Sequence, residues 1–184
     1  MEARDIEHYL SLLGEELEAL GVRTTFRLLM IGGGFMLTQV GNRTFTSDVD
    51  VLVYDRSQRY DTDDYIRFKS AVHLVAASHN LDEAWLSDKI SDFLENAGPV
   101  PKAKLWRKFG SRLRVYIPPK GFILAHKLQA GRRKDWEDIE ALLHELGVTT
   151  RAKALKLVDR YITNDDIKYH SELQKMLDRF FPVS

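Results

Sequence analysis

Between residues 26 and 54 an apolar run leads into three consecutive glycines, then a short helical stretch, then a valine-rich segment with aspartates at alternate positions. Few folds accommodate that order. Residues 26–31 read as a strand ending at Gly32, Gly33 and Gly34, and residues 35–40 as a brief helix closed by Gly41. Val49, Val51 and Val53 alternate with Asp48, Asp50 and Leu52, which predicts a strand over 48–54, broken by Asp55. Strand, glycine turn, helix, strand requires a sheet with helical cover.

The flanking sequence extends this pattern. Ile6, Leu10, Leu13, Leu17 and Leu20 recur at helical spacing opposite a glutamate-rich face, predicting a helix over 4–20 that stops at Gly21. Helices are expected near 63–79 and 84–97. Gly98, Pro99 and Pro101 then punctuate the chain before strand candidates at 103–109 and 112–117, joined as a hairpin across Gly110 and Ser111. Beyond Pro118 every apolar pattern is helical, with breaks at Gly131, Gly147 and 163–166. The expected organisation is an α/β core over 1–118 and a helical extension over 119–184 packed on it.

Composition narrows the functional classes. With 184 residues, 44% of them apolar, the chain can bury a proper core. Lysine plus arginine equals aspartate plus glutamate at 27 each, so binding to nucleic acid or membrane has to come from a local patch. The absence of cysteine excludes disulfides, thiolate nucleophiles and cysteine-ligated zinc. Acidic residues interrupt the first 20 positions, unlike a signal peptide, and no segment has the length and apolarity of a membrane span, so a cytoplasmic protein without membrane contact is expected. His8, His73, His79, His126, His144 and His170 show no metal-ligand spacing.

Aspartate is depleted in strand interiors, so Asp48 and Asp50 ask for a reason. Side chains at i and i+2 share one face of a strand, and two carboxylates so placed suit Mg²⁺, which keeps waters and substrate phosphates in its remaining positions. A solvent-facing sheet end would also explain them. The glycine turn before a helix offers backbone amides to phosphate oxygens, although a tight turn needing positive φ accounts for one or two glycines equally well. Glycine turn, Arg43, Thr46, Ser47, then Asp48 and Asp50 place an anion cradle beside a cation grip.

In this combination, IGGGFMLTQVGNRTFTSDVDVLV, the sequence resembles the nucleotidyltransferase superfamily, whose signature is Gly-Gly or Gly-Ser followed by Asp-x-Asp. It is most similar to the minimal bacterial nucleotidyltransferases related to toxins of abortive-infection and other toxin–antitoxin systems. Those add a helical segment matched here by Lys127, Ala130, Arg133, Lys134, Asp135 and Asp138 in KLQAGRRKDWEDI. The resemblance implies an α+β nucleotidyltransferase fold, a small mixed β-sheet flanked by helices with an all-helical C-terminal part. It implies transfer of a nucleoside monophosphate from a nucleoside triphosphate to an acceptor hydroxyl of RNA, tRNA or protein, with Mg²⁺ as cofactor and an antitoxin protein as a further partner. Gly32, Gly33, Gly34, Arg43, Ser47 and Lys127 would bind nucleotide, Asp48 and Asp50 the metal, and Asp48, Asp50, Lys127 and Asp135 would be catalytic. A catalytically silent nucleotide-binding module and a small-molecule (antibiotic) nucleotidyltransferase stand as alternatives.

Lys127 falls within the apolar stripe of Ile123, Leu124 and Leu128, and Asp135 aligns with the stripe of Ile139, Leu142, Leu143 and Leu146. An inward charge requires a partner. The sequence leaves open a Lys127–Asp135 salt bridge, an Asp135 helix cap with Asp138 in the first turn, or a phosphate contact by Lys127 with Asp135 as metal ligand or anchor. The chain also departs from the superfamily: its strand at 112–117 lacks a third carboxylate, and Arg112, Arg114 and Tyr116 alternate along it, facing a phosphate or solvent.

Overall fold

A computed structural model describes residues 1–54, 62–169 and 172–182; Asp55 and His170 lie outside them. The fold is α+β, with a small mixed five-stranded sheet flanked by helices. No described helix is long and apolar enough to cross a membrane. The chain divides into two compact units, Met1–Ser91 with Ala103–Ile117, and Asp92–Lys102 with Pro118–Ser184.

In the first unit, α1 (Ala3–Ala19) precedes β1 (Phe26–Met30), α2 (Gly32–Phe35), β2 (Val49–Val53), α3 (Asp63–His79), β3 (Leu86–Ser87), β4 (Lys104–Phe109) and β5 (Leu113–Ile117). The strand order is β3-β2-β1-β5-β4, with β1–β5 and β2–β3 parallel and β1–β2 and β4–β5 antiparallel. Alternation divides the sheet into two faces. Phe26, Leu28, Met30, Val49, Val51, Val53, Leu113 and Val115 point into one core with Ile6, Leu10 and Leu13 of α1 and Phe68, Val72 and Val75 of α3. The other face carries Asp50, Leu52 and Tyr54 of β2 and its end, Arg27 and Leu29 of β1, and Arg114 and Tyr116 of β5.

Two local expectations are corrected. No continuous helix spans 84–97: Leu86–Ser87 forms an edge strand and α4 runs only over Ser91–Ala97. Tertiary burial overrides the local helical pattern here. Trp85 is buried, donates its indole N–H to Val72 O at 3.0 Å, and accepts from Val49 N at 2.7 Å, which draws the next two residues onto the sheet. The helix expected to begin at Phe35 begins at Gly32, and Met36–Val40 continues it as a π-helical turn, closed by a Gly41 N–H to Met36 O bond at 2.8 Å.

The second unit is helical: α4 with α5 (Lys120–Ala130), a 3₁₀ turn (Arg133–Asp135), α6 (Trp136–Glu145), α7 (Arg151–Tyr161), α8 (Asp165–Tyr169) and α9 (Leu173–Phe180). Where the sequence drew one boundary at 118, the structure assigns 92–102 to this unit, because Thr163 N and Asn164 N both donate to Ala97 O and Asn164 Nδ2 donates to Asn96 O. Helix α5 packs against α6, α7 and α9, which explains why its apolar residues are not confined to one stripe.

Candidate active site

The glycine turn and the acidic strand are interlocked. Ile31 N donates to Asp50 O at 2.9 Å, which continues the β1–β2 ladder to the point where the chain enters α2. Gly32 has φ of 60°, and a Cβ there would overlap the Asp50 carboxylate. Any other residue would combine backbone strain with a collision. A Cβ on Gly33 would strike Thr46 Oγ1 and come within 3.6 Å of an Arg43 guanidinium nitrogen. The glycines thus admit the acidic strand and its preceding loop to the start of a helix, where the first amides lack carbonyl partners within the helix.

That loop is itself fixed. Thr46 is buried; its hydroxyl donates to Asp48 O at 2.9 Å, and its backbone pairs with Met1 in both directions, at 2.8 and 3.0 Å. The Ser47 hydroxyl donates to Asp48 Oδ1 at 3.2 Å. Val49 is fully buried whereas Asp48 and Asp50 are half-buried, so both aspartates lie on the side of the chain opposite the valine core. The structure therefore brings together Gly32, Gly33, Arg43, Thr46 and Asp50, with Ser47 on Asp48. Gly34 plays another part: a Cβ there would come within 3.3 Å of Val49 Cγ1 and 3.4 Å of Met30 Sδ, so it serves packing.

Does this donor set suit a hard divalent cation? Among the described residues no group of three histidine, cysteine or acidic side chains converges as a complete metal cage. Mg²⁺ does not need one, since one or two carboxylates with waters and substrate phosphates are its usual ligands. Asp48 and Asp50 fit that requirement.

Lys127, Asp135 and Asp138 meet in the second unit. Lys127 Nζ lies 2.5 Å from Asp135 Oδ1 and 2.7 Å from Asp138 Oδ2, and all three residues are buried. Of the arrangements left open by the sequence, the structure shows the salt bridge, extended to Asp138. Asp135 occupies the N-cap position of α6 without a side-chain cap bond, and Asp138 lies in the first turn. The ammonium group is thus engaged by two carboxylates.

Three features escaped the sequence. Ser87 stands in register beside Asp50 on the parallel edge strand, hidden by an expected helix, since two residues of strand leave no periodic signal. Phe45 is 61% exposed, in the loop that carries Arg43 and Thr46. Asp88 accepts from the Tyr65 hydroxyl at 2.6 Å and from Lys69 Nζ at 3.0 Å. Burial works to raise its carboxyl, but those two donors prevail and hold it below the usual aspartate value.

No family model matches the chain, and no curated protein or solved structure shows significant similarity to it.

Proposed function

We propose that this chain is a Mg²⁺-dependent nucleotidyltransferase of the nucleotidyltransferase fold, acting on a nucleoside triphosphate and an acceptor hydroxyl. The observation that carries the reading is the fit of Asp50 and Thr46 over Gly32 and Gly33, which makes phosphate cradle and acidic pair one structure. In the reaction the acceptor oxygen bonds to the α-phosphorus, the bond from that phosphorus to the pyrophosphate oxygen breaks, pyrophosphate leaves, and the hydroxyl proton passes to solvent. The amides at the start of α2 bind phosphate oxygens, Arg43 offsets their charge, and Asp48 and Asp50 hold the cation. The bound ion supplies charge neutralisation on the phosphates. Positioning and electrostatics dominate such transfers.

The Lys127 salt bridge, together with the lack of a third carboxylate on β5, favours a second reading: a nucleotide-binding module without turnover. One experiment separates the two. Purified protein is incubated with each nucleoside triphosphate labelled at the α-phosphate, Mg²⁺, and total RNA and protein extract. Label transferred by the wild type and lost in Asp48→Asn, with the fold intact by circular dichroism, establishes transfer and the acceptor class. Triphosphate binding without transfer to any macromolecule or small-molecule acceptor establishes the module.

A further inference from the structure

The sheet face that bears Asp50 also carries a row of cations. Strand register sets Arg27 beside Arg114, and Arg114 beside Lys108, in one line across β1, β5 and β4. Adjacent members are about 5 Å apart at the backbone, a spacing at which like charges repel. All three are exposed, and among the described residues none has an acidic partner. The contrast lies within the same hairpin: on the opposite face Arg107 pairs with Glu7 at 3.0 Å, and just before β5 the Arg112 guanidinium donates to Arg23 O at 2.5 Å. From 102 to 114 the chain has lysine or arginine at 102, 104, 107, 108, 112 and 114 and no acid, in a protein of zero net charge.

Aromatic rings sit among these cations. The Arg27 guanidinium lies 5.1 Å from the Tyr54 ring centre and 5.2 Å from that of Tyr116, and both tyrosines are half-buried. The rings hold the guanidinium in place, and the half-buried Tyr116 adds an aromatic surface beside it. Cations in a line with aromatic rings at one end match the chemistry of a single strand, whose phosphates and unpaired bases are both available. A duplex keeps its base faces stacked on one another and out of reach of such rings. Loops and ends with unstacked bases are a state that RNA commonly presents.

We infer that the Arg27–Arg114–Lys108 row, with Tyr54 and Tyr116, is a docking surface for single-stranded RNA. As an assignment of the acceptor it rests on the transferase reading above; as a binding surface it is tested without nucleotide or divalent ion. A fluorescein-labelled single-stranded RNA is titrated with the full chain over a series of salt concentrations, read by anisotropy. Three phosphate contacts give a slope of log affinity against log salt of about −2. Arg114→Glu places an acid between Arg27 and Lys108, so it weakens RNA binding and flattens the slope by about 1 or more, while the melting temperature holds or rises. Tyr116→Ala weakens binding about fivefold or more. Arg4→Glu, at an exposed position of α1, makes the same change in net charge and leaves affinity unchanged.

Absence of RNA binding by the wild type at low salt would overturn the inference. So would equal weakening by Arg4→Glu and Arg114→Glu, or a duplex of the same sequence binding as tightly as the single strand. The titration contains neither nucleotide nor divalent ion, so loss of transfer and loss of docking are read separately.

Discussion

Replacing Lys127 by methionine keeps the length and much of the volume of the side chain but removes its charge. Asp135 and Asp138 then lose the ammonium that lies 2.5 and 2.7 Å from them, while their side chains stay 9% and 1% exposed. Removing one partner of a buried ion pair typically costs about 3–5 kcal/mol, because the remaining charge stays desolvated. At about 2–4 °C per kcal/mol for a chain of this size, Lys127→Met should lower the melting temperature by about 6–20 °C. The triple variant Lys127→Met, Asp135→Asn, Asp138→Asn removes both buried carboxylate charges as well and should recover most of that loss. Thermal unfolding followed by circular dichroism measures both. A single variant melting within about 2 °C of wild type would refute the buried triad. Labelled-nucleotide transfer adds a second readout: if the three side chains only support the helices, the triple variant regains activity with its fold, and a stable but inactive protein would give at least one of them a part in transfer.

Other perturbations test other parts. Gly32→Ala should destabilise by at least about 1–2 kcal/mol from its positive φ alone, and should also displace the Asp50 carboxylate; a melting temperature equal to wild type would count against the interlocked turn. His126 has both ring nitrogens buried without hydrogen-bond partners among the described residues, and burial lowers its pKa from 6.5 to about 4. The unfolded chain therefore takes up this proton first, so the histidine should remove up to about 3 kcal/mol of stability as pH falls from 6.5 to 4; urea titrations of wild type and His126→Leu should diverge across that window. Asp88 has the opposite sign of dependence. Its lowered carboxyl contributes stability above its unfolded value that disappears as pH falls through its folded one. Tyr65→Phe removes one donor and should move the onset of acid unfolding to higher pH, as followed by tryptophan fluorescence.

The features most legible in the sequence were those with long periods or strong punctuation. Helix α1, the β4–β5 hairpin across Gly110 and Ser111, and the strand–glycine–helix–strand unit all carry their own local signals. The inward direction of Lys127 was legible for the same reason, since helical phase alone places it among leucines. What stayed hidden depends on pairing between distant segments. Ser87 joins Asp50 only through two residues of parallel ladder, and Asn96 and Ala97 join the second unit through bonds from Thr163 and Asn164. The cation row is a product of register: Arg27, Lys108 and Arg114 are isolated letters until the sheet aligns them. The three glycines were visible, but their separate duties under Asp50, Thr46 and Val49 were not.

Strand β4 ends the sheet on one side, and its charges have a consequence apart from any ligand. An edge strand exposes unpaired backbone groups that another chain can extend into an aggregate. Here Lys104, Arg107 and Lys108 line that edge, and the register shift between Leu105 and Arg107 breaks its regularity. At the opposite edge β3 is only two residues long. Two copies brought edge to edge along β4 would face each other with the same cations, so the hairpin that gathers a polyanion also keeps identical chains apart. Neutral, β-branched residues at 104, 107 and 108 would remove both properties together and leave a folded protein prone to self-association.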